Sequence, residues 1–547
     1  MRIVENNQLG KFRQNNMIPK IIHQTWHSIY YDHHNGSPDS WKALNPDWEY
    51  MFWLDNDLEL FVERNYPEFI KLYQSYPKIV QRTDLGRYLL MHKFGGVYAD
   101  IDTDCRASLN SIHNENQIIL CDEPRSHFHK IKPFGLNRLV FNGTLASPAG
   151  HPFWYHVAER ANLNRHAMQK DVLVSTGPIM FSSAIENWPI QADFSLNSCH
   201  LYSELEKSGE VTLDEEVGDH ARLRLSQHNW AASWYTLPKN SFSRALRSKT
   251  RRLKSRLTRK AQPINPLVIN ALDQTALHEP LPKFHLGDLP RVAVFTPVKD
   301  GSLFLDTYMD LISSLDWPKD KLRLVFCEGD STDDTFDKLQ KIKRENGRSF
   351  AGFEIIKHAL GYKLERRNRW HSKYQFNRRS VLAKVRNSLI TNGLTVADEW
   401  VLWLDVDVCN YSASILKTLL NAQEKIVVPD CVLDAGGKSF DMNSFLHTGE
   451  IEQNFFFKHV LHGLFQPPSN YWQRLHLSDL RFADKIPLTG VGGTMLLVHS
   501  SVHRSGLYFP ERPYKYHIET EGFGMMAKDA GICPYGLPNE TIFHVKS

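Results

Sequence analysis

Two segments far apart in the chain, YADIDTD (Tyr98–Asp104) and WLDVDV (Trp403–Val408), share one grammar: an apolar run stops in two aspartates separated by a single residue. Short apolar runs of this kind read as buried strands, and strands buried on both faces belong to a mostly parallel sheet covered by helices. The expected strands are Val97–Asp102 and Glu399–Val408. Residues two apart in a strand point the same way, so Asp100 shares a face with Asp102 and Asp405 with Asp407. Two carboxylates at a strand's end suit Mg²⁺ or Mn²⁺, which take oxygen ligands.

The surroundings of each pair repeat the α/β grammar. IPKIIHQTW gives a strand over Ile18–Ile22, and WEYMFWLD a second over Trp48–Asp55. A helix over Ile79–Phe94 then stops at Gly95-Gly96, where glycine can turn the chain. In the second half, Arg291–Val298, Leu322–Glu328 and Phe353–His358 read as strands, and Arg378–Thr391 as a helix. Between the halves, Ser241–Lys260 holds nine Arg or Lys and no acid, followed by Pro263, Pro266, Pro280 and Pro282. At 547 residues the chain exceeds what one core supports. The expected organisation is α/β throughout: a domain over 1–240, a basic helix and extended linker over 241–288, and a second domain over 289–547.

Composition narrows the function classes. A net charge of +4 is too small to argue for nucleic acid. Seven dispersed cysteines with no C-x-x-C pair give neither a zinc ribbon nor a disulfide framework. The polar start lacks the apolar core of a signal peptide, and no run approaches the ~18 apolar residues of a membrane span. A reduced, cytoplasmic location is therefore expected. Phe242, Leu246, Leu253 and Leu257 fall near one helical face among cations, so residues 241–260 are expected to touch an anionic membrane peripherally.

In TDLGRYLLMHKFGGVYADIDTD, Asp84 and Arg87 are three apart on a helix and share a face. The glycine return brings that helix close to Asp100 and Asp102. With IPKIIHQTW before it and HNWAASW (His228–Trp234) after it, residues 17–235 resemble glycosyltransferase family 32, which includes the fungal initiating mannosyltransferase. The resemblance implies a GT-A fold, metal at Asp100 and Asp102, and donor-sugar contacts from Asp84 and Arg87. It also implies Trp26 near the nucleotide base, with His228 and Trp234 closing over the diphosphate.

In the second half, FTPVKDG is a strand running into a glycine loop whose N–H groups could meet a nucleotide. CEGDSTDDT places Asp330 after a strand, and Arg379 and Arg386 lie near one helical face within reach of phosphates. Together with RRSVLAKVRNSLI, the blocks FDMNSF, VGGTMLLV, IETEGFGMMAKDAG and GLPNETIFH resemble the mannan-polymerase subunits of glycosyltransferase family 62 over about 290–547. That resemblance implies retaining mannose transfer from GDP-mannose, metal at Asp405, Asp407 and His544, and Glu519 and Glu521 near the sugar or acceptor. The family's fungal members begin with a Golgi anchor, which this sequence does not show.

The resulting expectation is a bifunctional, metal-dependent transferase with one Mn²⁺ or Mg²⁺ per domain, acting from nucleotide sugars onto a glycan or glycolipid. Two alternatives share some of its features. One is a single active transferase with a non-catalytic half. The other is an Asp-x-Asp phosphohydrolase, whose acidic motif GDSTDD matches Gly329–Asp334. Motif order opposes the phosphohydrolase, because Gly329 precedes Asp405 and strands precede both Asp pairs.

Overall fold

The computed structural model describes residues 17–27, 38–123, 125–196, 225–228, 272–281, 289–365, 368–369 and 371–546. They fall into two compact units, Met1–Leu257 and Thr258–Ser547.

The first unit's strands are β1 (Ile21–Trp26), β2 (Glu49–Leu54), β3 (Gly96–Ala99), β4 (Thr103–Cys105), β5 (Ile118–Leu120), β6 (Thr144–Ser147), β7 (Phe194–Leu196) and β8 (Ser226–His228). Among the described residues, six form one sheet in the order β2-β1-β3-β6-β5-β7, while β4 pairs with β8. β1 runs parallel to β2 and β3, and β6 antiparallel to β3. Ile22, Val97, Ala99 and Ala146 from this sheet pack with Ile18, Trp41, Trp48 and Phe141 in a core. Helix α1 (Ile79–Phe94) is buried without a break from Asp84 to Met91, so the sheet and its neighbours enclose it all round. It stops at Gly95 and Gly96, with φ of 62° and 86°. A Cβ on Gly95 would sit 2.5 Å from Ala149 N, and one on Gly96 2.4 Å from Ile21 O. Both glycines are thus required by conformation and by space, and the chain returns from helix to strand in one step.

The second unit contains β9 (Val292–Val298), β10 (Leu322–Glu328), β11 (Gly352–Lys357), β12 (Trp400–Leu404), β13 (Val408–Asn410), β14 (Ile426–Val432), β15 (Met495–His499) and β16 (Tyr535–His544). They order as β11-β10-β9-β12-β15-β14-β16-β13, with Ile486–Pro487 added beside β16. Helix α2 (Ser372–Gly393) precedes β12, and α3 (Glu519–Asp529) precedes β16. The run β10-β9-β12-β15 matches β2-β1-β3-β6 in order and direction, parallel until an antiparallel last strand. Both units are α/β with mixed, mostly parallel sheets, as expected.

Two expectations need correction here. The strands end at Ala99 and Leu404, before the aspartates, so neither pair lies on a strand face. Instead the Asp100 carbonyl accepts Thr103 N–H at 3.1 Å, and the Asp405 carbonyl accepts Val408 N–H at 3.4 Å. Each pair rides a turn, consistent with aspartate's poor fit to a pleated strand. Residues 272–281, inside the stretch expected to be extended linker, pack on the second unit. Leu272 and Leu277 are buried, and Asp273 N–H donates to Ser505 O at 2.8 Å. The basic segment 241–260 lies outside the described residues, and no helix among them is long and apolar enough to cross a membrane.

Candidate functional site

In the first unit, Asp100 and Asp102 occupy the turn between β3 and β4. Antiparallel pairing of β4 with β8 sets Thr103 opposite His228 and brings His228 Nε2 3.1 Å from Asp102 Oδ1. One ligand atom from each of Asp100, Asp102 and His228 lies within 4.8 Å of the others. Arg87 reaches over from α1, with Nη2 3.1 Å from Asp100 Oδ1 and 3.2 Å from Asp84 Oδ1. Its Nη1 donates to Asn142 O at 2.6 Å, and the guanidinium lies 4.6 Å from the Tyr98 ring centre. Asp84 is 3% exposed, and its two oxygens accept from Thr176 Oγ1 at 2.9 Å and Asn142 Nδ2 at 3.2 Å. Burial pushes its carboxyl up to about 6, against the pull of Arg87. Asp84 therefore faces Arg87 and its protein donors and is enclosed by them. Trp26 ends β1, partly exposed, with its ring 4.4 Å from that of His27. Trp234 lies outside the described residues.

The second unit rebuilds this arrangement. Asp405 and Asp407 occupy the turn between β12 and β13, and pairing of β13 with β16 sets Val408 opposite His544. His544 Nε2 lies 3.2 Å from Asp407 Oδ2, while its Nδ1 faces Val545 O at 2.8 Å. Arg386 comes from α2, the helix before the Asp-bearing strand, as Arg87 does. Its Nη2 is 3.5 Å from Asp405 Oδ1, and its Nη1 is 2.9 Å from Glu519 Oε1, which Arg379 approaches at 3.4 Å. The acid balancing the arginine thus comes from the same helix in the first unit and from α3 in the second. Glu521 pairs with Arg474, whose guanidinium lies 3.7 Å from the Phe445 ring centre. Burial pushes the Asp405 carboxyl up to about 6, opposed by Arg386 and reinforced by Asp407 and Asp441. Burial acts on Asp407 too, but its bond to His544 outweighs that and holds it below the ordinary range.

Three N–H groups of the glycine loop after β9 are already taken by side chains, a third correction of the sequence reading. Asp300 N–H donates to Ser331 Oγ at 3.0 Å, Gly301 N–H to Thr335 Oγ1 at 2.8 Å and Ser302 N–H to Asp333 Oδ2 at 3.2 Å. Asp330 has a φ of 61°, and its carboxylate accepts the N–H groups of Leu360 and Gly361 at 3.0 Å and of Tyr362 at 3.2 Å. It shapes the loop after β11. Sequence reasoning missed Asn142, which joins Asp84 to Arg87, and Arg474 and Asp441. The Asn-Gly step before the apolar β6 was the available signal for Asn142.

Two family models match: Anp1 over residues 283–513, and "glycosyltransferase sugar-binding region containing DXD motif" over residues 32–119. The mannan polymerase complex subunit MNN9 of Candida albicans is 30% identical over 282 residues, 47% of this chain and 76% of that protein. The chain belongs to the Anp1 family. The Anp1 match includes Arg379, Arg386, Asp405 and Asp407 and ends before α3 and His544. The chain is also 32% identical over 189 residues to inositol phosphoceramide mannosyltransferase 3 of Schizosaccharomyces pombe. That match covers 32% of this chain and 47% of the relative, so the chain spans about half of it. A solved mannosyltransferase from Pyrobaculum calidifontis, in complex with GDP-Man and Mn²⁺, is 13% identical over 51% of this chain and 64% of that one. Its TM-score is 0.29, too weak a likeness to say anything about this chain.

Proposed function

We propose that the chain is a bifunctional retaining glycosyltransferase. The second unit transfers mannose from GDP-mannose, and the first transfers a hexose (mannose, galactose, glucose or N-acetylglucosamine) from a nucleotide sugar. The acceptor is a glycan or glycolipid. The observation carrying this reading is the repeated constellation: an arginine from the preceding helix, an Asp-x-Asp turn at the end of an equivalent strand, and a histidine from an antiparallel partner. Both named relatives, a mannan polymerase subunit and an inositol phosphoceramide mannosyltransferase, are consistent with it.

The donor sets Asp100, Asp102, His228 and Asp405, Asp407, His544 fit a small divalent cation. Two carboxylates and an imidazole suit Mn²⁺ and accommodate Mg²⁺ less well. This moves His228 from the diphosphate contacts expected of it into the proposed metal set. A bound ion would supply charge neutralisation to the departing diphosphate. Arg87 and Arg386 orient the first aspartate of each pair by an ion pair and bring positive charge to where the leaving group develops negative charge. In the second unit, Glu519 fixes Arg386 and Arg379, while Glu521, paired with Arg474, serves the sugar or the acceptor. Retention lets the departing phosphate oxygen take the acceptor proton, so no separate base is assigned.

The test is nucleotide release and product mass spectrometry with a donor panel. Asp100→Ala/Asp102→Ala should slow one transfer and Asp405→Ala/Asp407→Ala the other, each by about 10²–10³ in rate. Loss of both activities from either pair of changes would mean one composite site. Release at one pair only would mean a non-catalytic half, and inorganic phosphate as sole product a hydrolase.

A further inference from the structure

We propose that Asp441 is a positioning residue of the second metal site, holding Asp405 through Thr494 and adding negative charge beside the Asp405–Asp407 pair. This rests on the reading of that pair as a metal site. Asp441 Oδ2 accepts the Thr494 hydroxyl at 2.8 Å and lies 3.4 Å from Thr494 N. The Thr494 carbonyl in turn accepts Asp405 N–H at 2.9 Å. Asp441 Oδ1 accepts from Asn443 Nδ2 at 2.8 Å and from Asn443 N–H at 3.2 Å, which fixes the carboxylate from its other side.

The sequence makes room for this arrangement. A Cβ on Gly492 would sit 1.9 Å from Asp441 Oδ2, and one on Gly493 2.4 Å from Arg386 Nη2. The glycine pair thus admits the two charged groups that flank Asp405. The adjoining Phe440 ring lies 4.4 Å from that of His544. One short segment therefore touches the histidine of the donor set directly and its first aspartate through one intermediate. Asp441 is only partly buried, as are Asp405 and Asp407. In the first unit the place of Thr494 is taken by Gly143, whose carbonyl accepts Asp100 N–H at 2.7 Å and which has no hydroxyl to offer a further carboxylate.

The test is Mn²⁺ titration of the full chain with GDP present, followed by calorimetry. Asp441→Asn keeps the shape and loses the charge. It should weaken manganese binding at the second site by about tenfold, the usual effect of losing an outer partner of a metal ligand. Thr494→Val cuts the hydroxyl link and should weaken it several-fold, while Thr494→Ser, which keeps the hydroxyl, should bind like the parent. Equal manganese affinity in all three variants would overturn the assignment. So would losses that track melting temperature in all three, since that is a purely structural brace. A parent protein whose manganese uptake is unaffected by Asp405→Ala/Asp407→Ala would remove the metal-site reading and this inference with it. A parent that loses uptake on that change, with indifferent Asp441 and Thr494 variants, removes the inference alone.

Discussion

At the scale of single residues, the two histidines carry much of the weight. His544 is held by Asp407 and lies with its ring tilted against that of Phe440, at the end of a strand whose core contacts come from other residues. His544→Ala should raise the manganese concentration needed for half-maximal GDP-mannose turnover by about 10- to 100-fold. Thermal stability should fall by no more than about 1 kcal/mol, in the range of changes outside a core. A variant that melts early yet keeps its metal requirement would make the residue structural. Arg386 is the second pivot, because one guanidinium serves Asp405 and Glu519 at once. A lysine ammonium cannot fork in that way. Arg386→Lys should therefore lower kcat for mannose transfer by about 10²-fold, comparable to losing one preorganised electrostatic contact, with the first unit's transfer unchanged. Steady-state rates with separate donors would show it.

At the scale of elements, local pattern was readable and long-range pairing was not. The helix Ile79–Phe94 and its Gly95 stop follow from a helical apolar pattern closed by two glycines, signals contained within one stretch of chain. The strands leading into both Asp pairs were legible for the same reason, but their ends were not. Carbonyl acceptance by a following N–H, as in Asp100 with Thr103, leaves no trace in periodicity. His228 beside Asp102 depends on β4 pairing with β8, and His544 beside Asp407 on β13 pairing with β16. Both contacts join segments distant in sequence, so only a resemblance could suggest a role for those histidines. Asp330 shows the converse. Its position after a strand invited a donor-binding role, while its carboxylate is taken by three consecutive amides of another loop. The glycine return makes its own prediction. Gly95→Ala places a side chain at positive φ and against Ala149 N, so it should cost about 2–4 kcal/mol. Differential scanning calorimetry should show one transition lowered and the other in place.

At the scale of the whole molecule, the two units should respond differently to acid. In the second unit, burial lowers His499 and His503 to about 4 and His447 and His517 to about 3. Each stays neutral in the folded unit while its unfolded counterpart protonates near 6.5. Their stabilisation is present above pH 6.5 and is lost as pH falls toward about 4. Asp405 and Asp430, raised to about 6 mainly by burial, work in the opposite sense, since their protonated forms suit the fold. The four histidines outweigh these two acids. In the first unit the lowered His23, His92 and His151 are set against Asp84, raised to about 6, and the raised Asp55, Asp100, Asp122, Glu159 and Asp171, so acids outnumber histidines there and oppose them. Metal-free protein taken from pH 7 to pH 5 should lose the second unit's melting transition by many degrees and the first unit's by few. Equal shifts in both transitions would contradict the assignment.

The return at Gly95 and Gly96 has a further effect on the first site. With α1 ending at Phe94 and β3 starting at Gly96, the junction has no slack, so the sheet sets the rotational phase of the helix about its own axis. One residue inserted between Arg87 and Gly95 would swing every earlier side chain by about 100° and advance it by about 1.5 Å. Arg87 would leave Asp100, and Asp84 would leave Thr176 and Asn142. Four inserted residues would nearly restore the angle but displace the guanidinium by about 6 Å along the axis. The number of residues in this interval is therefore fixed as firmly as the arginine itself. A shift in its length, in either direction, dismantles the charge cluster without altering any residue that belongs to it.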